Sequence, residues 1–179
     1  IDAMARRGTP FRGILYGGFM ATRDGVRLLE YNVRFADPES MNVLPILEDD
    51  FLELCESVVD GDLPMAARFA KKATVCKYVV PIGYGTSPQG GKRIEVDEAA
   101  IAKAGAELFY AAVDEREGRL YTTTSRSVAV VGIAESLPVA ELIAEAGLVH
   151  VKGGVYVRHD VGTAKAIDRK VARMRTLRS

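Results

Sequence analysis

The chain has 179 residues, with 24 Lys+Arg balancing 24 Asp+Glu and 48% hydrophobic side chains. This is enough for one ordinary domain or two small ones, and it excludes disordered, collagen-like and coiled-coil chains. Zero net charge argues against a dedicated nucleic-acid binder. The absence of any 18-residue apolar run or cationic leader predicts no membrane span and no signal peptide, hence a cytoplasmic protein.

Ile14 to Thr22 reads as a strand, Arg23-Asp24-Gly25 as a turn and Val26 to Asn32 as an alternating strand, which together predict a β-hairpin. Leu47, Phe51, Leu54 and Val58 then follow helical spacing, with Asp50 as N-cap and Glu53 three residues on; Gly61 and Pro64 end that helix. Beyond about Lys71, strands are expected at 74–82, 108–113, 120–124 and 128–133. Short helices are expected from Asp97 to Gly105, with Val96 and Ile101 as a hydrophobic staple, and from a Ser136 cap to Gly147. A last helix begins near Thr163 with an apolar stripe of Ile167, Val171 and Met174. Runs of strands with interspersed short helices predict an α+β protein with a boundary near residue 70, giving units 1–70 and 71–179.

Charge is distributed unevenly. Residues 35–67 hold nine acids and no Lys or Arg, whereas 165–178 hold six basic residues against Asp168 alone. Two solvated helix faces account for this, and a binding role for the basic helix is the alternative. Cys55 and Cys76 lack CxxC spacing, which disfavours zinc or disulfides, and both are expected to be buried small hydrophobes. The loop Tyr84 to Gly91 lacks the order of a phosphate-binding P-loop and reads as a surface loop. His150 and His159 are lone histidines near strand ends. Gly17 and Gly18 interrupt a strand, where a second backbone or a ligand can approach.

The run from Val26 to Glu39 carries the chemistry. Strand alternation puts Val26, Leu28, Glu30 and Asn32 on one face, with the carboxylate and the amide roughly 7 Å apart at Cα. Their oxygens suit a hard cation such as Mg2+, which takes one or two protein ligands and the rest from phosphate and water. Spacing alone leaves open that both simply face solvent. Arg34, Asp37 and Glu39 follow in a loop where an arginine fork suits phosphate or carboxylate and the acids suit an amine; a self-satisfied salt-bridge loop is the alternative.

GILYGGFM at 13–20, LLEYNVRFADPES at 28–40, DDFLELCESVVDGDL at 49–63, SRSVAVVGIAESL at 125–137 and VYVRHDVGTAKAI at 155–167 together resemble the phosphoribosylamine-glycine ligase (glycinamide ribonucleotide synthetase) family. The resemblance implies the C-terminal part of an ATP-grasp domain over 1–70 and a small mixed α/β barrel-sandwich C-terminal domain over 71–179. It further implies an enzyme of purine biosynthesis that uses ATP and Mg2+ (or Mn2+) to join glycine to 5-phosphoribosylamine through glycyl phosphate. Glu30 and Asn32 match the family's metal and nucleotide ligands, and Arg34, Asp37 and Glu39 match its R-F-G-D-P-E loop. Ala36 stands where the family has glycine, so that a positive φ there would be strained; Ser40-Met41 and His159 are further departures. Family members are more than twice this long and the chain opens on Ile1, so a C-terminal fragment, inactive alone and needing the remainder of the ligase chain, is expected. A non-catalytic interaction or small-molecule-binding domain is the alternative.

Overall fold

The first unit, Ile1–Ala70, opens on the short helix α1 (Asp2–Arg6) and then reverses through Arg23 and Asp24 to form an antiparallel hairpin, β1 (Tyr16–Thr22) and β2 (Gly25–Asn32). It comes from a computed structural model that describes residues 1–178. A bulge interrupts the hairpin: Gly18 pairs with Glu30 but Phe19 with Leu28, which leaves Leu29 as the extra residue. The expected row of Val26, Leu28, Glu30 and Asn32 is therefore broken, and only Glu30 and Asn32 stay in one register. The Asp37-Pro38 peptide is cis and is followed by α2 (Glu39–Val43), a 3-10 turn (Leu44–Ile46) and α3 (Phe51–Asp60).

Local chemistry explains α3. The Asp50 carboxylate accepts from the Leu52 and Glu53 amides at 2.8 and 3.1 Å, and Gly61 ends the helix at φ 80°, a conformation glycine adopts without steric cost. Ala36 lies outside the positive-φ region, where Glu117 is the only non-glycine among the described residues, and it is buried; the expected strain is absent. It is also the only buried residue among the described residues of this unit. Ile14, Phe35, Leu47, Phe51, Leu54 and Phe69 surround an apolar cavity of about 240 Å³ rather than a closed core. Cys55 is exposed, contrary to expectation, because the apolar cavity it helps to line is open rather than a closed core.

The second unit, Lys71–Thr176, contains β3 (Ala73–Pro81), β4 (Arg93–Val96), α4 (Glu98–Lys103), β5 (Glu107–Tyr110), β6 (Val113–Arg116), β7 (Arg119–Thr122), β8 (Val128–Ala134), α5 (Leu137–Leu148), β9 (Val151–Gly153) and β10 (Val155–Val157), and the last helix α6 (Ala164–Arg178) begins within it. Two four-stranded sheets form, in the orders β10-β3-β8-β5 and β6-β7-β4-β9, and every pairing is antiparallel. The expected single strand 108–113 is in fact two, β5 and β6, which belong to different sheets. Val79, Ile101, Ala106, Val128, Val130, Leu148 and Val151 form the common core, with Val96 of the predicted staple packed against it. Ser136 stands at the N-cap of α5 without a side-chain cap bond; the first turn there contains Pro138, which has no N–H to offer.

Packing of α5 on β3 and β8 sets this unit. Cross-strand partners share a face, so Val75, Lys77 and Val79 lie beside Gly132, Val130 and Val128. Ala140, Ala144, Gly147 and Leu148 of α5 are the buried helix positions, spaced i, i+4, i+7 and i+8. A Cβ at Gly132 would fall 1.9 Å from the Ala140 carbonyl oxygen and 2.8 Å from the Ala144 amide nitrogen. Helix backbone thus rests directly on strand backbone.

On that same face the Lys77 side chain is wholly buried. Its ammonium donates to Glu141 Oε1 at 2.6 Å, to Glu145 Oε1 and to the His159 carbonyl at 2.9 Å, which accounts for all three of its N–H groups. Burial alone would raise the Glu145 carboxyl, but the hydrogen bonds from Lys77 and His159 outweigh it, and the group lies below its ordinary 4.5.

Gly132→Ala should therefore destabilise the fold by about 1–3 kcal/mol in urea unfolding, because neither backbone can move aside. Glu145 adds a pH dependence. A lowered carboxyl contributes stability above its unfolded value, and that contribution is lost as pH falls through the folded one. The thermal stability gap between wild type and Glu145→Gln should be full at pH 7 and close progressively below about 4.5. A gap that stays constant with pH would show that Glu145 is not held by charge.

Candidate functional site

The bulge at Leu29 gives the hairpin two unlike faces. On one, the Phe19 and Tyr31 rings meet edge to face at 6.2 Å, and a Cβ on Gly17 would lie 2.6 Å from the Phe19 ring. The space that glycine leaves is filled by the hairpin's own aromatic pair, not by an outside backbone or ligand. Tyr16, Gly18, Glu30 and Asn32 share the other face, where Gly18 pairs with Glu30 and Tyr16 with Asn32. A Cβ at Gly18 would make ordinary contacts only, with Glu30 Cγ at 3.6 Å, the Glu30 carbonyl oxygen at 3.8 Å and Leu29 Cβ at 3.9 Å.

On this polar face the Asn32 amide donates to Glu30 Oε1 at 2.9 Å. Glu30 is exposed and Asn32 half-buried. With the amide nitrogen turned toward the carboxylate, Asn32 Oδ1 and Glu30 Oε2 remain oxygen donors, and an all-oxygen pair fits a hard divalent cation. Among the described residues no cluster of three or more His, Cys, Asp or Glu could hold a metal by itself. A cation on this pair would take its other ligands from phosphate oxygens and water.

The loop that follows comes back to the same face. Tyr16 Oη donates to Glu39 Oε1 at 3.0 Å, which joins the start of β1 to the first residue of α2. The phenol is held above its ordinary value, first by that hydrogen bond, then by the Glu39 charge, with burial and Glu30 adding smaller effects. Arg34 donates to the neighbouring Phe35 carbonyl at 3.0 Å. Of the predicted residues, Glu30 and Asn32 are thus in direct contact, and Glu39 is tied to their face through Tyr16. Sequence reasoning overlooked Tyr16; a tyrosine before two glycines in a strand offers no spacing signal toward a residue 23 positions away.

Outside this face, the Tyr84 to Gly91 segment is a series of turns between β3 and β4 closed by its own backbone bonds, such as Gln89 N–H to Ile82 O at 2.9 Å. His159 Nδ1 lies 2.9 Å from Glu145, so its ring belongs to the Lys77 cluster. No helix among the described residues is long and apolar enough to cross a membrane.

Family comparisons fall on both units. The model for "Phosphoribosylglycinamide synthetase, C domain" matches residues 74–164, and that for "Phosphoribosylglycinamide synthetase, ATP-grasp (A) domain" matches residues 1–40. The chain belongs to the phosphoribosylglycinamide synthetase family. Curated relatives include the phosphoribosylamine-glycine ligases of Thermococcus gammatolerans, 50% identical over 98% of this chain and 39% of the relative, and of Methanocaldococcus jannaschii, 52% identical over 99% of this chain and 40% of the relative. The crystal structure of the phosphoribosylamine-glycine ligase from Thermotoga maritima superposes with a TM-score of 0.74 at 26% identity, covering 89% of this chain and 39% of that one. The chain therefore spans about 40% of the length of the synthetases it matches. The ATP-grasp match, residues 1–40, contains the whole polar face and its loop.

Proposed function

We propose that these residues are the C-terminal part of an ATP-dependent ligase that joins glycine to 5-phosphoribosylamine in purine biosynthesis, with residues 1–70 completing an ATP-grasp domain and 71–179 forming the C-terminal domain. The observation that carries this reading is the contact of Glu30 with Asn32 on an open polar hairpin face inside the ATP-grasp match. The low burial of the first unit supports it as well: Phe19, Leu29 and Tyr31 are more than half exposed, as expected of an element whose apolar surface belongs against further chain.

The reaction needs no protein nucleophile. A glycine carboxylate oxygen attacks the γ-phosphorus of ATP and the bond to ADP breaks, giving glycyl phosphate. The amine of 5-phosphoribosylamine then attacks the acyl carbon, phosphate leaves, and the nitrogen loses a proton to give glycinamide ribonucleotide. Glu30 and Asn32 would hold Mg2+ or Mn2+, whose chemical contribution is neutralisation of charge on the ATP phosphates. Arg34 offers a fork of donors for phosphate or carboxylate, and Asp37 and Glu39 offer acceptors for an amine. Positioning and fixed charge carry such phosphoryl transfer. The phosphorylated, water-soluble substrates fit a cytoplasmic setting, and the remainder of the ligase chain is the partner this reading requires.

Glu30→Ala in the ligase that carries these residues should lower turnover by about 100-fold or more while leaving thermal unfolding unchanged, because Glu30 is exposed. The 179 residues alone should bind the substrates too weakly to turn over. Full activity of the Glu30→Ala enzyme would refute the site, and ligase activity of the isolated 179 residues would refute the dependence on further chain.

A further inference from the structure

The Glu39 carboxylate has little to fix it except Tyr16. Glu39 is exposed, it is the first residue of a helix only five residues long, and that helix has no side-chain cap. A free glutamate side chain in such a place samples many rotamers, and ordering it costs entropy at each use. The Tyr16 hydroxyl removes that freedom by a 3.0 Å hydrogen bond to Oε1, which leaves Oε2 as an acceptor. Tyr16 is itself fixed by backbone pairing with Asn32, next to Glu30, and its ring is half-buried. One phenol therefore connects the strand donors to the loop acid.

We infer that Tyr16 is a positioning residue of the ligase, holding Glu39 toward the Glu30–Asn32 face so that its free Oε2 addresses the substrate amine beside the cation held by the strand pair. This rests on the ligase reading, since it gives Glu39 a substrate to face. It assigns Tyr16 no proton transfer and no direct contact with the reacting atoms.

Steady-state kinetics of the full-length ligase test it with Tyr16→Phe, Glu39→Gln and the double variant, alongside thermal unfolding of each. Tyr16→Phe removes only the hydroxyl and should lower kcat by about 10-fold, with the KM for ATP and the melting temperature unchanged. Glu39→Gln should cost at least as much, and Tyr16→Phe should add nothing in the Glu39→Gln background, because the partner it orients is gone. Wild-type kcat in Tyr16→Phe, or losses that multiply in the double variant, would overturn the positioning role while leaving the ligase reading intact. A fall in kcat matched by a lower melting temperature would make the tyrosine merely structural and overturn it too. Wild-type activity in Glu39→Gln would instead refute the substrate role of the loop, and the positioning role with it.

Discussion

A lysine ammonium without water organises the second unit. Taking a charge of that size out of solvent costs several kcal/mol, which is recovered only when good partners meet it. Lys77 sits between Val75 and Val79 on the face of β3 that α5 covers, and its partners come from three separate places: two successive turns of α5 through Glu141 and Glu145, and the backbone at His159 beyond β10. Shifting α5 along the sheet by one residue would separate at least one carboxylate from the ammonium and strand a buried charge. The Gly132 contact with Ala140 and Ala144 demands the same registration from steric exclusion. An ionic constraint and a packing constraint therefore select one position for the helix, and the sheet order β10-β3-β8-β5 is built around it.

The first unit is organised on the opposite principle. Among its described residues only Ala36 is buried, and its hairpin carries the exposed Phe19 and Tyr31 on one face and Tyr16, Gly18, Glu30 and Asn32 on the other. Here the decisive feature is a backbone irregularity. By inserting Leu29, the bulge separates the row of Glu30 and Asn32 from that of Leu28 and Val26, and a strand that would otherwise present a mixed face offers two acceptor residues beside Tyr16 and Gly18. A bulge re-aims the side chains of its strand, and here the smallest residue, Gly18, stands opposite the Glu30 carboxylate.

What could be read from sequence follows the range of the interactions involved. The hairpin turn, the Asp50 cap, the Gly61 stop and the Asp97 cap are all set within four residues, and each is legible as a short pattern. The division of 108–113 into β5 and β6 is not, because it depends on Ala111 and Ala112 donating to Ser127 and Arg126, partners more than a dozen residues away. Nor is Lys77, which occupies a position where alternation alone calls for an apolar residue and which is tolerated only because α5 brings two carboxylates. The site divides in the same way. Glu30 and Asn32 are two residues apart, so strand alternation puts them on one face while only the resemblance of the longer run singles them out; the Tyr16 contact to Glu39 requires the hairpin and the following loop to close on one another. Ser136 shows the converse failure: its residue type suits a cap, yet Pro138 in the first helical turn removes a donor.

The acidic run from residue 35 to 67 takes on a more specific meaning in this light. Its carboxylates are not a uniform solvated surface. Asp49 accepts from the Arg68 backbone amide and guanidinium, each at 2.6 Å, and lies below its ordinary value first through the amide and then through the side chain. Asp50 caps α3, and Glu39 is bound by Tyr16. Neighbouring like charges repel, and a donor on Glu39, Asp49 and Asp50 offsets part of that repulsion within this short segment. Three of them, Glu39, Asp49 and Asp50, are thereby tied to named donors, whereas Glu30 and Asn32 lie outside the run on β2 and are held to each other, so their contact owes nothing to the acidic segment.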